Sequence, residues 1–131
     1  MQQFKKISRL FTKKSDAELP DILFPGIVSA KQFAAFEPNQ RMQVVMIVGD
    51  SADVNYYRFL KWCIDHDPDL DVRLAALKRL PNFIGQADLP QYLKQLDASG
   101  KKSVLEPYLS MALSRVGIID IEEFKSRLNG G

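Results

Sequence analysis

Apolar residues recur along this chain at spacings of three and four, interrupted by proline, glycine and aspartate, as in short amphipathic helices joined by tight turns. The pattern holds from Ser29 onward. Ser29 and Gln32 form a capping-box pair ahead of Phe33, Ala34 and Phe36, predicting a first helix that Pro38 ends. A second begins near Asn39 as N-cap, carries Met42, Val44, Val45, Ile47 and Val48, and stops at Gly49. Its valine-rich centre has strand propensity over a run too short for periodicity to decide, and the helical neighbours place it as a helix.

Asp53 is placed to cap a third helix through Ile64, with Tyr56, Phe59, Leu60, Cys63 and Ile64 on one face and Arg58 and Trp62 on the other. A fourth, Val72 to Phe83, turns Leu74, Ala76, Leu77 and Leu80 inward and ends by Gly85. Asp88 caps a fifth carrying Leu89, Leu93 and Leu96, with Pro90 in the tolerant first turn and Gly100 as the stop. Leu105, Leu109, Ala112, Leu113 and Val116 define a sixth. Asp120 with Glu123 opens a seventh that turns Ile121, Phe124 and Leu128 inward. No convincing strand pair is present, so the fold class is all α.

Ahead of Ser29 the chain changes character. Residues 1–15 set Phe4, Ile7, Leu10 and Phe11 at helical spacing with Lys5, Lys6, Arg9, Lys13 and Lys14 between them, a basic amphipathic segment. Pro20, Pro25 and Gly26 mark a connector after it. The expected organisation is therefore an N-terminal segment and connector over 1–28 and a helical domain over 29–131.

The chain's 131 residues suit one domain that needs neither metal nor disulfide for its core. Its single cysteine, Cys63, cannot form an internal bridge, which argues for a reducing, cytoplasmic setting. No run approaches the roughly 18 apolar residues of a membrane span, and no apolar stretch of signal-peptide length follows the N-terminal charges. The net charge of +2 is uneven: five cations and no acid in residues 1–15 leave the rest at −3. A mildly acidic body is a poor phosphate-binding surface, so affinity for nucleic acid or an anionic membrane would reside in residues 1–15.

The stretch Asp67 to Leu80, DPDLDVRLAALKRL, resembles the turn and second helix of a HEAT repeat: an aspartate six residues before the arginine of a Val-Arg pair, then small Ala76, then Leu80. Weaker echoes flank it. Arg41 with Met42, Val44 and Val45 stands 32 residues before Arg73 and its leucines, and Leu109, Ala112 and Leu113 echo the same helix at an offset of 36. These offsets are shorter than the roughly 40–47 residues of HEAT and armadillo units and near the 34 of tetratricopeptide repeats, whose tryptophan signature is absent. The resemblance implies a short right-handed α-solenoid of about three helical hairpins with a C-terminal capping helix. It also implies a structural role for Asp67 and Arg73, stabilising the turn and neighbouring repeats.

Candidate chemistry is sparse. Asp65, Asp67, Asp69 and Asp71 alternate as in a calcium loop, but Leu70 stands where glycine is needed, Ala76 where the bidentate glutamate belongs, and Pro68 intervenes. Cys63 and the lone His66 give too few ligands for zinc, and a thiol on an apolar helix face is ordinarily inert. The scattered glycines form no phosphate loop. No metal, cofactor or small-molecule substrate is expected. Trp62 with Arg58 is the best contact hint, because these residue types dominate binding hot spots, and Lys78 and Arg79 are placed to line a groove for an acidic partner. The expected function is a non-enzymatic adaptor or regulatory module that binds another protein. The alternatives are nucleic-acid or anionic-membrane binding through residues 1–15, or an accessory subunit that completes a partner's site.

Overall fold

The computed structural model describes Phe24, Gly26, residues 28–100 and residues 102–130. The amphipathic segment expected over residues 1–15, and most of the connector, lie outside these residues. The described residues form eight α-helices in order: α1 (Ala30–Ala35), α2 (Pro38–Ser51), α3 (Tyr57–His66), α4 (Leu70–Arg79), α5 (Leu89–Ala98), α6 (Lys102–Leu105), α7 (Tyr108–Arg115) and α8 (Ile121–Leu128). Short 3-10 turns occupy Val54–Tyr56 and Leu80–Phe83. Among the described residues there is no strand, so the fold is all-helical there, and no helix is long and apolar enough to cross a membrane.

Local chemistry accounts for most helix starts. The Ser29 hydroxyl accepts from the Gln32 N–H at 3.0 Å while the Gln32 side chain accepts from the Ser29 N–H at 2.9 Å, the reciprocal box expected for α1. Asp69 accepts from the Val72 N–H to open α4, and Asp120 from the Glu123 N–H to open α8.

Several boundaries differ from the sequence reading, each for an identifiable reason. Pro38 opens α2, and Glu37 rather than Asn39 is its N-cap, because a proline at the first helical position gives up only an N–H that has no intrahelical partner. Gly49 does not stop α2. The helix passes through it to Ser51 and closes on Ala52 in the left-handed region at φ 56°. A Cβ at Gly49 would lie 2.6 Å from the Arg79 Cβ, so this glycine lets α2 and α4 approach closely. Asp53 caps the 3-10 turn, accepting from the Asn55 N–H, and the later start of α3 buries Tyr57 in the place expected for Tyr56. Pro81, which lacks an N–H, accompanies the change from α4 to a 3-10 turn. Asp88 precedes α5 but caps nothing with its side chain, which instead receives the Lys61 ammonium at 2.7 Å. Pro107 divides the expected sixth helix into α6 and α7, and the Glu106 carboxylate accepts from the Ser110 N–H and hydroxyl at the start of α7.

A single apolar cluster joins the elements. Helix α4 is central, packing against α2, α3 and α7, while α5 and α8 also contact α7. Phe24 belongs to this core despite its place in the connector, its ring 5.3 Å from that of Phe33 and 4.9 Å from that of Phe59. Ile121 and Leu128 of α8, expected to face inward, are 55% and 51% exposed. That helix is held by polar contacts: Arg127 makes a forked pair with Asp97 at 2.9 and 3.1 Å and also reaches Glu123.

A buried ion pair joins α2 to the turn between α3 and α4. Asp67, whose side chain is 1% exposed, accepts from Arg41 Nε at 2.9 Å and from its NH2 at 3.1 Å. Arg41 NH1 donates to the Phe36 carbonyl, and Asp67 accepts further from the Asp69 N–H. Arg73, the other residue given a structural role by the resemblance, does not pair with Asp67. Its Nε donates to the Ile64 carbonyl at 2.8 Å, tying α4 to the end of α3.

Two outcomes follow for stability. Asp67→Ala strands a buried guanidinium and is expected to lower unfolding free energy by about 3–5 kcal/mol in urea titration, against about 1–2 kcal/mol for Arg73→Ala. The Arg127 guanidinium beside Asp97 holds that carboxyl below its ordinary value of 3.8. A depressed folded-state pKa contributes stability above the ordinary value and loses it as pH falls through the lowered one, so Asp97→Asn should flatten the acid limb of a Tm–pH curve.

Candidate functional site

The successive contacts of α2, α4 and α7 leave a groove between them. Its two depressions, of about 270 and 250 Å³, share Lys78, Arg79 and Tyr108. Met42 and Met46 from α2 and Leu74 from α4 line one part, Met111 and Arg115 from α7 the other. Three of the chain's four methionines thus line one groove. Unbranched, polarisable thioethers adapt to varied apolar surfaces, which suits a binding face.

The polar groups of the groove divide by partner. Arg79 Nε donates to Asp50 at 3.1 Å and its NH1 to the Ala75 carbonyl, so this cation is spent within the fold. Asn82 links the three helices at one end, donating to the Gly49 carbonyl at 3.0 Å and accepting from Arg115 at 3.2 Å. Lys78 is exposed, its ammonium 5.8 Å from the Tyr108 ring centroid. Neither Lys78 nor Arg115 has a carboxylate partner among the described residues.

A separate pocket of about 280 Å³ lies where α1, α2 and α3 meet, lined by Phe33, Ala34, Arg41, Trp62, His66, Asp67 and Pro68. Trp62 is half-buried and packs on the core, its ring 5.3 Å from that of His66. Its indole N–H is buried and has no hydrogen-bond partner among the described residues.

The four binding residues expected from the sequence therefore fall in separate places. Lys78 and Arg79 line the groove, Trp62 lines the α1–α2–α3 pocket, and exposed Arg58 lines neither. Tyr108, Met111 and Met46 were not singled out. The available signal was the repetition of methionine at Met42 and Met46, four residues apart on α2, with another on α7.

Three of the four alternating aspartates are engaged within the fold, and the fourth, Asp71, lines the groove. Asp67 holds Arg41, Asp69 caps α4, and Asp65 accepts from the Tyr92 hydroxyl at 2.8 Å. No group of three or more histidine, cysteine, aspartate or glutamate side chains is placed to hold a metal among the described residues. Burial raises the Cys63 thiol well above its ordinary pKa; nearby Asp67 adds to the rise and Arg41 opposes it. A neutral, buried thiol is a poor nucleophile. Comparison with known families, with curated proteins and with solved structures finds no match for this chain.

Cys63 should resist iodoacetamide at neutral pH in the native protein and react fully in denaturant, as read by intact mass. Rapid native alkylation would show an accessible thiolate that the packing does not provide.

Proposed function

We propose that this chain is a non-enzymatic binding module for another protein, with α1–α2, α3–α4 and α5–α7 stacked as HEAT-like hairpins and the α2–α4–α7 groove as the contact surface. The observation that carries this reading is the composition of the groove. Adaptable Met42, Met46 and Met111 and the ring of Tyr108 line the groove with Lys78 and Arg115, two cations without carboxylate partners among the described residues, and with Asp71 at one part of it. Aromatic and cationic groups beside flexible apolar ones suit a segment that presents an apolar anchor and a carboxylate. Repeat stacks bind extended segments of other chains through such continuous surfaces. The buried Arg41–Asp67 pair supports the stacked reading, because it joins corresponding parts of adjacent hairpins.

A separate reading, nucleic-acid or anionic-membrane binding, rests on the five cations of residues 1–15. It predicts association that weakens steeply with salt and that does not respond to changes in the groove.

A photocrosslinking residue at Met111 should capture a partner protein, and one at Arg58 should not. Lys78→Glu combined with Tyr108→Ala should remove the adduct while the protein stays folded, and weaken binding at least tenfold, about 1.4 kcal/mol or more. Equal capture from both positions, or capture indifferent to the double variant, would place the interface elsewhere.

A further inference from the structure

The three helices that form the groove run in the same direction. Arg41, near the start of α2, pairs with Asp67 just ahead of α4, and near the far end Asp50 of α2 pairs with Arg79, the last residue of α4. Tyr108 opens α7 beside Lys78, and Arg115 closes it against Asn82, in the 3-10 turn that follows α4. The groove therefore has two distinct ends. Asp71, Leu74, Lys78 and Asn82 line it in chain order from one end to the other.

Charge is sorted along that line. Asp71 lines only the part that holds Met42, Met46 and Leu74, Arg115 lines only the other, and Lys78 lines both. Asp71 is exposed and has no cation within salt-bridge distance among the described residues, just as Lys78 and Arg115 have no carboxylate. Asp50 and Arg79 offset each other at 3.1 Å. One free carboxylate thus stands at one end of an apolar strip and two free cations toward the other. The seven residues from Asp71 to Lys78 rise about 10 Å along α4, and the Asn82 and Arg115 level lies roughly 16 Å from Asp71. An extended chain covers those distances in about three to five residues.

We propose that the occupant of the groove is an extended segment of another protein in which an acidic and a basic side chain, about three to five residues apart, flank an apolar one. The acid meets Lys78 and Arg115, the apolar side chain lies among Met42, Met46 and Leu74, and the base meets Asp71. This rests on the groove being the contact surface and adds what fixes the direction of the bound segment. Segments of a single charge sign are disfavoured, because an acidic one meets Asp71 and a basic one meets Lys78 and Arg115.

The test selects from a displayed library of random dodecapeptides on the full chain at low salt. Peptides that no longer bind the folded Lys78→Glu, Tyr108→Ala double variant are groove binders. Among them, Asp or Glu should recur about three to five residues from Lys or Arg, with Leu, Met or an aromatic residue between. A synthesised peptide of this kind should bind the Asp71→Lys protein about fivefold more weakly than the unaltered protein, the scale of one exposed charge pair. The same peptide with its base replaced by glutamate should reverse that preference, a reciprocal exchange that misfolding of the variant cannot produce. Groove binders that lack a base, or whose base is indifferent to Asp71→Lys, would overturn the proposed polarity and leave the groove as the contact surface. Binders unaffected by the double variant, or no enrichment of any peptide, would overturn both.

Discussion

A guanidinium and a carboxylate withdrawn from water set how the N-terminal half of the molecule is assembled. Arg41 and Asp67 lie 26 residues apart, and their contact is buried. Neither ion is stable there alone, because desolvation penalises each by several kcal/mol unless the other is in register. The Arg41 fork also holds the Phe36 carbonyl at the end of α1, and Asp67 also holds the Asp69 N–H ahead of α4. One polar cluster therefore coordinates α1, α2 and the α3–α4 turn, and small displacements of any of them leave a buried charge unsatisfied.

That registration positions both concave features. With α2 and the α3–α4 turn held, α4 lies close along α2 at Gly49, where there is no room for a Cβ. The close approach brings Met42 and Met46 to the same groove as Lys78. At the far end Asn82 links Gly49 and Arg115, so α7 adds Tyr108 and Met111 to the lining. On the other side of the ion pair, Arg41 and Asp67 line the pocket under Trp62. The features that make surfaces available are thus consequences of a buried polar constraint as much as of apolar burial.

The C-terminal end is held differently. Helix α8 rests on α7 with Phe124 half-buried, while Arg127 bridges to Asp97 of α5. Partly exposed ion pairs are weak individually, so this end depends more on pH and salt than the Arg41–Asp67 region does.

Much of the helical content was legible in the sequence because it rests on contacts within a few residues. The Ser29–Gln32 box, the Asp120 cap and the apolar spacing of α3 and α5 read directly. The breaks at Pro81 and Pro107 were also local signals, outweighed by apolar periodicity running across them. Asp67 could be recognised as structural, but its partner could not: Arg73 is nearer in sequence, whereas packing buries Arg41 beside it. Lys78 and Arg79 were legible as a basic pair, yet only the contact of α2, α4 and α7 separates the engaged Arg79 from the exposed Lys78 and joins them to the methionines and Tyr108. Capping, proline and periodicity act over one or two helical turns and are written along the chain. Which face of a helix meets solvent, and which charge finds a buried partner, depends on residues some thirty positions away, and only the tertiary structure decides it.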